Sequence, residues 1–221
     1  VEGVIMSLKE LILDRIQSKK NFDVWTPSDF LDLSNRDAID KVLQRLAKTG
    51  NLRRISRGLY DLPKINKLTE QVTTPDYQKI IEAVQRREQI RILIDGLTAA
   101  NDLGLTNMVP GQIIVLTDGR LASISIQNLK IKFQKVTPRK LYWADKKSMR
   151  IVQSLHWLKD IINTNTEETE LIKKKIVAYI RNSEQKMTLL QELQDDLYTL
   201  PNWMQTFLKE MFASADLQKG S

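Results

Sequence analysis

The chain has 221 residues, 42% hydrophobic and 28% charged, enough apolar material for one large domain or two small ones and too much for a chain disordered throughout. It has no cysteine and a single histidine, His156, which excludes thiol catalysis, a disulfide scaffold and the usual zinc sites; no apolar run reaches the ~18–20 residues of a membrane span. Thirty-four Lys and Arg against 27 Asp and Glu give a net charge of +7, which points to an acidic partner.

The distribution of that charge says more than its total. Residues 1–64 carry 12 basic and 9 acidic side chains, residues 65–150 carry 14 and 8, and residues 151–221 carry 8 and 10. Within the first block, Leu33–Lys64 alone holds 8 basic against 3 acidic residues, so the positive field is concentrated and the C-terminal third does not share it. The lack of cysteine and of a secretory leader pattern makes a cytoplasmic location the expectation.

In chain order, Leu8, Leu11, Ile12 and Ile16 recur at helical spacing and predict an amphipathic helix from Ser7 to about Lys19. An extended piece, Phe22–Trp25, leads into Thr26-Pro27-Ser28-Asp29, where proline just inside a capping residue predicts a short helix over Pro27–Leu33. Ser34, with Asp37 three residues on, reads as the cap of a third helix that stops at Gly50. Leu52–Ile55 and Leu59–Leu62 flank Ser56-Arg57-Gly58 and predict a β-hairpin. Three helices and a hairpin in about 60 residues is the order of a winged helix-turn-helix, with Pro63–Lys67 as the segment leaving it.

The middle of the chain mixes the two periodicities. Tyr77–Arg87 reads as a helix, Ile90–Ile94 as a strand, Leu97–Leu103 as a helix ended by Gly104, and Ile113–Leu116 as a strand closed by the Thr117-Asp118-Gly119 turn. Leu121–Ile126 and Leu129–Phe133 alternate in period two and predict a second hairpin, with Lys130 and Lys132 on one face and Ile131 and Phe133 on the other. From Lys147 the pattern is helical, through Ile161, Glu167–Arg181, Glu184–Tyr198 and Trp203–Phe212. The fold class expected is α+β: a winged helix-turn-helix over 1–64, a mixed α/β domain over 65–150, and a helical segment over 151–221. Lys219-Gly220-Ser221 has the look of an appended tail, and the residues before Met6 that of a lead-in to a native start.

The third helix carries the candidate DNA-reading residues. At about 100° per residue, Ile39, Val42, Leu43 and Leu46 fall on one side and Arg36, Asp40, Lys41, Gln44, Arg45 and Lys48 on the other. Arg forks to guanine, Gln pairs with adenine and Lys neutralises phosphate, as a helix in the major groove requires. A plain solvated helix face has the same composition, and the hairpin tips the balance: Arg53, Arg54 and Arg57 lie within five residues of one another, immediately after the basic helix. Arg53 and Arg54 are strand neighbours and point to opposite faces, so at most one of them joins Arg57 on the DNA side. Thr26 and Ser28, at the start of the second helix, are candidate phosphate contacts, although capping alone also accounts for them. Arg86, Arg87, Arg91, Lys130, Lys132 and Lys135 extend a DNA footprint, contact RNA, or form the ordinary polar face of a half-buried sheet, the last being the reading slightly favoured.

Catalysis has little support. Glu184-Gln185-Lys186 is the only Glu-x-Lys and has no matching upstream strand acid, which leaves a magnesium nuclease at low weight. Asp95, Asp102 and Asp118 read as turn and helix-surface residues, His156 as packed or partly exposed, and no phosphate-cradling glycine loop is present. No metal, no cofactor and no enzymatic activity are therefore expected. Trp203, Met204, Phe207, Leu208, Met211 and Phe212 read equally as core and as an interface, a homodimer on two half-sites being the second reading.

The text Trp25-Thr26-Pro27-Ser28-Asp29-Phe30, the run Ala38–Leu46, Gly50, and Arg54-Ile55-Ser56-Arg57-Gly58-Leu59-Tyr60 together resemble the N-terminal winged helix of AbiEi-type antitoxins. The resemblance continues through Glu82–Arg87, Gly96–Leu105, Val115–Gly119 and Ile131–Phe133, about residues 8–160 in all, and leaves the last 60 residues unmatched. It implies a bacterial protein that represses its own toxin–antitoxin operon by binding promoter DNA and counteracts a nucleotidyltransferase-type toxin. In such type IV systems the two proteins act without a stable complex. The alternative is an interaction protein that neutralises the toxin by direct contact, with the winged helix as scaffold.

Overall fold

The computed structural model describes residues 6–18, 23–164 and 166–215. The expected helix end at Lys19, the start of the extended piece at Phe22, the residues before Met6 and the Lys219-Gly220-Ser221 tail lie wholly or largely outside them. The elements run α1 (Leu8–Gln17), β1 (Val24–Trp25), a 3₁₀ turn (Pro27–Phe30), α2 (Arg36–Lys48), β2 (Arg53–Ser56), β3 (Leu59–Asp61), α3 (Tyr77–Glu88), β4 (Ile92–Ile94), α4 (Gly96–Asp102), β5 (Ile113–Thr117), β6 (Ile124–Ile126) and β7 (Leu129–Lys135). A 3₁₀ turn (Pro138–Leu141) then leads into α5 (Met149–Trp157), α6 (Lys159–Thr164), α7 (Thr166–Asn182), α8 (Lys186–Asp195), a 3₁₀ turn (Leu197–Thr199) and α9 (Asn202–Ser214). The class is α+β, with two small sheets.

By internal contact the chain groups into two compact units, residues 1–90 with 122–131, and residues 91–121 with 132–221. Their edges do not coincide with boundaries drawn after residues 64 and 150.

The first unit is built on a three-stranded antiparallel sheet in the order β1-β3-β2. Trp25 and Tyr60 are register partners, as are Arg54 and Tyr60, so one row of side chains crosses all three strands. Ile12 and Ile16 from α1, Trp25, Phe30, Ile39, Leu43 and Leu46 from α2, and Leu52 and Tyr60 close one apolar cluster. The Trp25 and Phe30 rings stack at 5.3 Å between centroids. Ser7 and Glu10 form a reciprocal capping box at the start of α1, which fixes where that helix begins. The second helix expected over Pro27–Leu33 is only a four-residue 3₁₀ turn, because Asp29 bonds back to Thr26 and tightens it. α2 is capped one residue later than expected: Asn35 accepts from the Ala38 N–H at 2.9 Å, and Ser34 and Asp37 form no box.

α3 completes this unit. Ile80, Ile81, Ala83 and Val84 are buried, and the helix lies against β1 and β3. The β6–β7 hairpin also belongs here up to Ile131, pairing Ile124 with Ile131 and lying beside β2. Its Ile131 is fully buried while Lys130 is exposed, the alternation that period two predicts.

In the second unit β4 pairs antiparallel with β5, Leu93 facing Leu116, and the remainder of β7 adds to β5. Asp95 is not merely a turn residue. Its carboxylate caps α4 through the Thr98 N–H and also accepts from the Thr98 hydroxyl and the Ile114 N–H. Gly96 lets α4 approach α5: a Cβ there would sit 2.6 Å from Trp157 Cβ and 2.7 Å from the Gln153 carbonyl oxygen. Gly96→Ala is therefore expected to destabilise this unit by about 1–3 kcal/mol through overpacking, read as a lower urea midpoint. An unchanged midpoint would show that the two helices can separate freely. The C-terminal Met and aromatic residues resolve as core within this chain, Met204, Phe207, Leu208, Met211 and Phe212 all being buried. Lys173 of α7 binds Glu210 of α9 at 3.0 Å beside that core.

Candidate nucleic-acid interface

α2 divides as the periodicity predicts. Ile39, Leu43 and Leu46 are at most 1% exposed, and Arg36, Lys41, Gln44, Arg45 and Lys48 are all exposed. On the helical projection Lys41, Gln44, Arg45 and Lys48 occupy about 100° opposite the core face, whereas Arg36 lies on the flank with Asp40. Arg36 Nε binds Asp40 Oδ2 at 2.9 Å, an i,i+4 pair that leaves it less free than the others.

The β2–β3 turn is made by Arg57 and Gly58, Gly58 taking a positive φ of 69°. The two preceding arginines separate as strand alternation requires. Arg53 turns inward: its guanidinium grips Asp61 at 2.5 and 2.9 Å and donates to the Thr73 carbonyl at 2.6 Å. Arg54 and Arg57 are exposed. Burial pushes the Tyr60 hydroxyl up from its ordinary pKa, and the charges of Arg54, Asp40 and Arg36 all act on it, which gathers the flank of α2 and the middle of β2 around one ring. Lys41, Arg45, Lys48, Arg54 and Arg57 have no ion-pair partner among the described residues.

Two expectations change. Thr26 is fully buried, its N–H and hydroxyl both donating to Asp29 Oδ2 at 2.7 and 3.0 Å, so it has no surface to offer a phosphate. Ser28 is exposed in the same turn. Arg86, Arg87 and Arg91 are not a free basic surface. Arg86 binds Asp29 in bidentate fashion at 2.9 and 3.0 Å and reaches the Val24 carbonyl, and Arg91 pairs with Asp118 at 3.1 Å. Lys130, Lys132 and Lys135 remain exposed.

Arg87 has a role that reading the sequence missed. Its Nη1 donates to the Arg57 carbonyl at 2.8 Å, and a Cβ on Gly58 would come within 3.3 Å of that nitrogen. The last turn of α3 thus holds the tip of the hairpin from thirty residues away. No local signal announces this; only the cluster of basic residues ending α3 hints at it.

Among the described residues, no group of three or more His, Asp and Glu side chains is placed to hold a metal ion, and no helix is long and apolar enough to cross a membrane. No curated protein matches the chain. A crystal structure of the RV2827C protein from Mycobacterium tuberculosis is similar at 13% identity and a TM-score of 0.44, over 91% of this chain and 70% of that one. A family model matches residues 11–188, and the chain belongs to that family, the family of unknown function DUF6088.

Proposed function

We propose that the first unit is a winged helix-turn-helix that binds duplex DNA, and that the protein acts in the cytoplasm as an antitoxin repressing its own operon. The observation that carries this reading is the single exposed face of Lys41, Gln44, Arg45 and Lys48 on α2, with Arg54 and Arg57 on the adjoining hairpin and none of these cations ion-paired among the described residues. Cations left unneutralised on rigid elements are what phosphate binding uses, and an amide among them supplies base readout. In this reading α2 enters the major groove, Gln44 and Arg45 meet base edges, and the Arg57-Gly58 tip reaches the backbone or the next minor groove. The antitoxin part, with a nucleotidyltransferase-type toxin as functional partner, rests on the resemblance to AbiEi-type antitoxins.

Binding to the DNA upstream of the gene, compared with scrambled DNA at two salt concentrations, tests the first part. A preference of several hundred-fold is expected. Gln44→Ala should cost the specific complex about 1–3 kcal/mol and leave binding to scrambled DNA unchanged. Equal and weak binding to both DNAs would reduce the basic helix to a charged face. The second part is tested by co-expression: the chain should restore growth to cells making the toxin encoded beside it, and unrelieved toxicity would remove the antitoxin role while leaving DNA binding intact.

A further inference from the structure

The second unit has an open groove of about 600 Å³, inside the size range of small-molecule sites. Its floor is the cross-strand pair Leu93 and Leu116, and Trp143 and Leu200 add apolar wall. Arg139 and Lys140 are its charged groups, the Gln153 amide, His156 imidazole and Thr199 hydroxyl add neutral polar groups, and no acidic side chain lines it. Arg139 and Lys140 are exposed, and neither has an ion-pair partner among the described residues. The Gln153 amide has no hydrogen-bond partner there either.

Tyr142 makes the groove more than a charged patch. The residue is 44% exposed, yet its side chain is held in place. The hydroxyl donates to the Asp196 carboxylate, Lys146 Nζ binds the same carboxylate at 2.6 Å, and that ammonium sits 5.1 Å from the ring centroid. Burial alone raises the pKa of Asp196, but the bonds from Lys146 and Tyr142 outweigh it and leave the group lowered and ionised as an anchor. An exposed aromatic side chain that is already immobilised loses little entropy on stacking, and it stands beside two cations with no ion-pair partner among the described residues.

We infer that this groove binds a nucleoside phosphate, the base against Tyr142 and the Leu93–Leu116 floor and the phosphates on Arg139 and Lys140. A simple inorganic anion makes no use of the apolar floor, and a neutral ligand makes none of the cations. Gln153 presents a donor and an acceptor to the edge of the base, and His156 adds a further donor once protonated. This site is independent of the DNA-binding reading and is placed wholly within the second unit.

Isothermal titration of the full chain with the four ribonucleoside mono- and triphosphates, adenosine and inorganic phosphate tests it. At least one nucleotide is expected to bind with a sub-millimolar Kd, at least about ten-fold more tightly than either adenosine or phosphate. The exposed double variant Arg139→Ser/Lys140→Ser should lose about ten-fold or more while keeping its circular dichroism, Tyr142→Leu should lose a similar factor, and Lys209→Ser should lose nothing. No saturable binding of any nucleotide up to about 5 mM overturns the proposal. So does phosphate binding as tightly as the nucleotides, or full affinity in the double variant.

Discussion

Asp29→Ala is expected to cost the first unit about 3 kcal/mol, a large share of the ~5–15 kcal/mol that holds a domain of this kind together. The side chain is 7% exposed and serves four donors: Arg86 Nε and Nη2, the Thr26 N–H and the Thr26 hydroxyl. Removing it takes a bidentate carboxylate from a guanidinium that is only 27% exposed and leaves two buried donors on Thr26 without that acceptor. The guanidinium's partial access to water keeps the cost at the lower end of what breaking a buried pair incurs. Arg86→Ala removes the counter-charge from the more deeply buried carboxylate, which keeps only its Thr26 donors, and should be similarly damaging. The double variant should cost clearly less than the sum of the two singles. Urea unfolding followed by circular dichroism provides the readout, and additive losses would show that the pair is not coupled.

The second large effect concerns DNA. Replacing Lys41, Arg45, Arg54 and Arg57 together by alanine removes four exposed cations and replaces no buried residue. If each neutralises one phosphate, the slope of log K against log salt should become shallower by about 0.9 per residue, and affinity at 0.1 M salt should fall on the order of a thousand-fold. The fold should be unaffected, because these side chains hold nothing together: none has a side-chain bond within the described residues. Fluorescence anisotropy across a salt series measures both quantities. A slope unchanged from the parent protein would mean that the DNA lies elsewhere, and Lys130 on the β6–β7 hairpin would become the next residue to replace. Arg53→Ala makes the contrast. Its guanidinium is spent on Asp61 and Thr73, so it should lower stability with no change in salt slope at temperatures where the variant stays folded.

How far each of these residues was legible depends on the range of the forces that place it. The division of α2 into a buried and a basic face follows from a 3.6-residue period that local spacing encodes, and the Arg57-Gly58 turn from a glycine that accepts a positive φ. The opposite fates of Arg53 and Arg54 follow from strand alternation alone. The short helix after Pro27 was legible only as a helix start: its early end comes from the Asp29 carboxylate, which bonds to Thr26 and is then taken up by an arginine 57 residues away.

The sequence by itself determined the mixed α and β character, the concentration of positive charge over Leu33–Lys64, and which residues of α2 face outward, because composition and periodicity are local quantities. Only the tertiary structure decided what the remaining charges do. Arg86 and Arg87 read in the sequence either as an extended nucleic-acid footprint or as an ordinary polar face, and in the fold they brace Asp29 and the hairpin tip. The same holds for Ala122–Ile131, which joins the first unit across 31 intervening residues, and for the C-terminal Met and aromatic side chains, which bury within their own unit. The physical reason is common to all of these. A charge or an apolar face sets what it must be satisfied by, and many segments meet that need equally well in sequence. Chain closure and packing then select one of them.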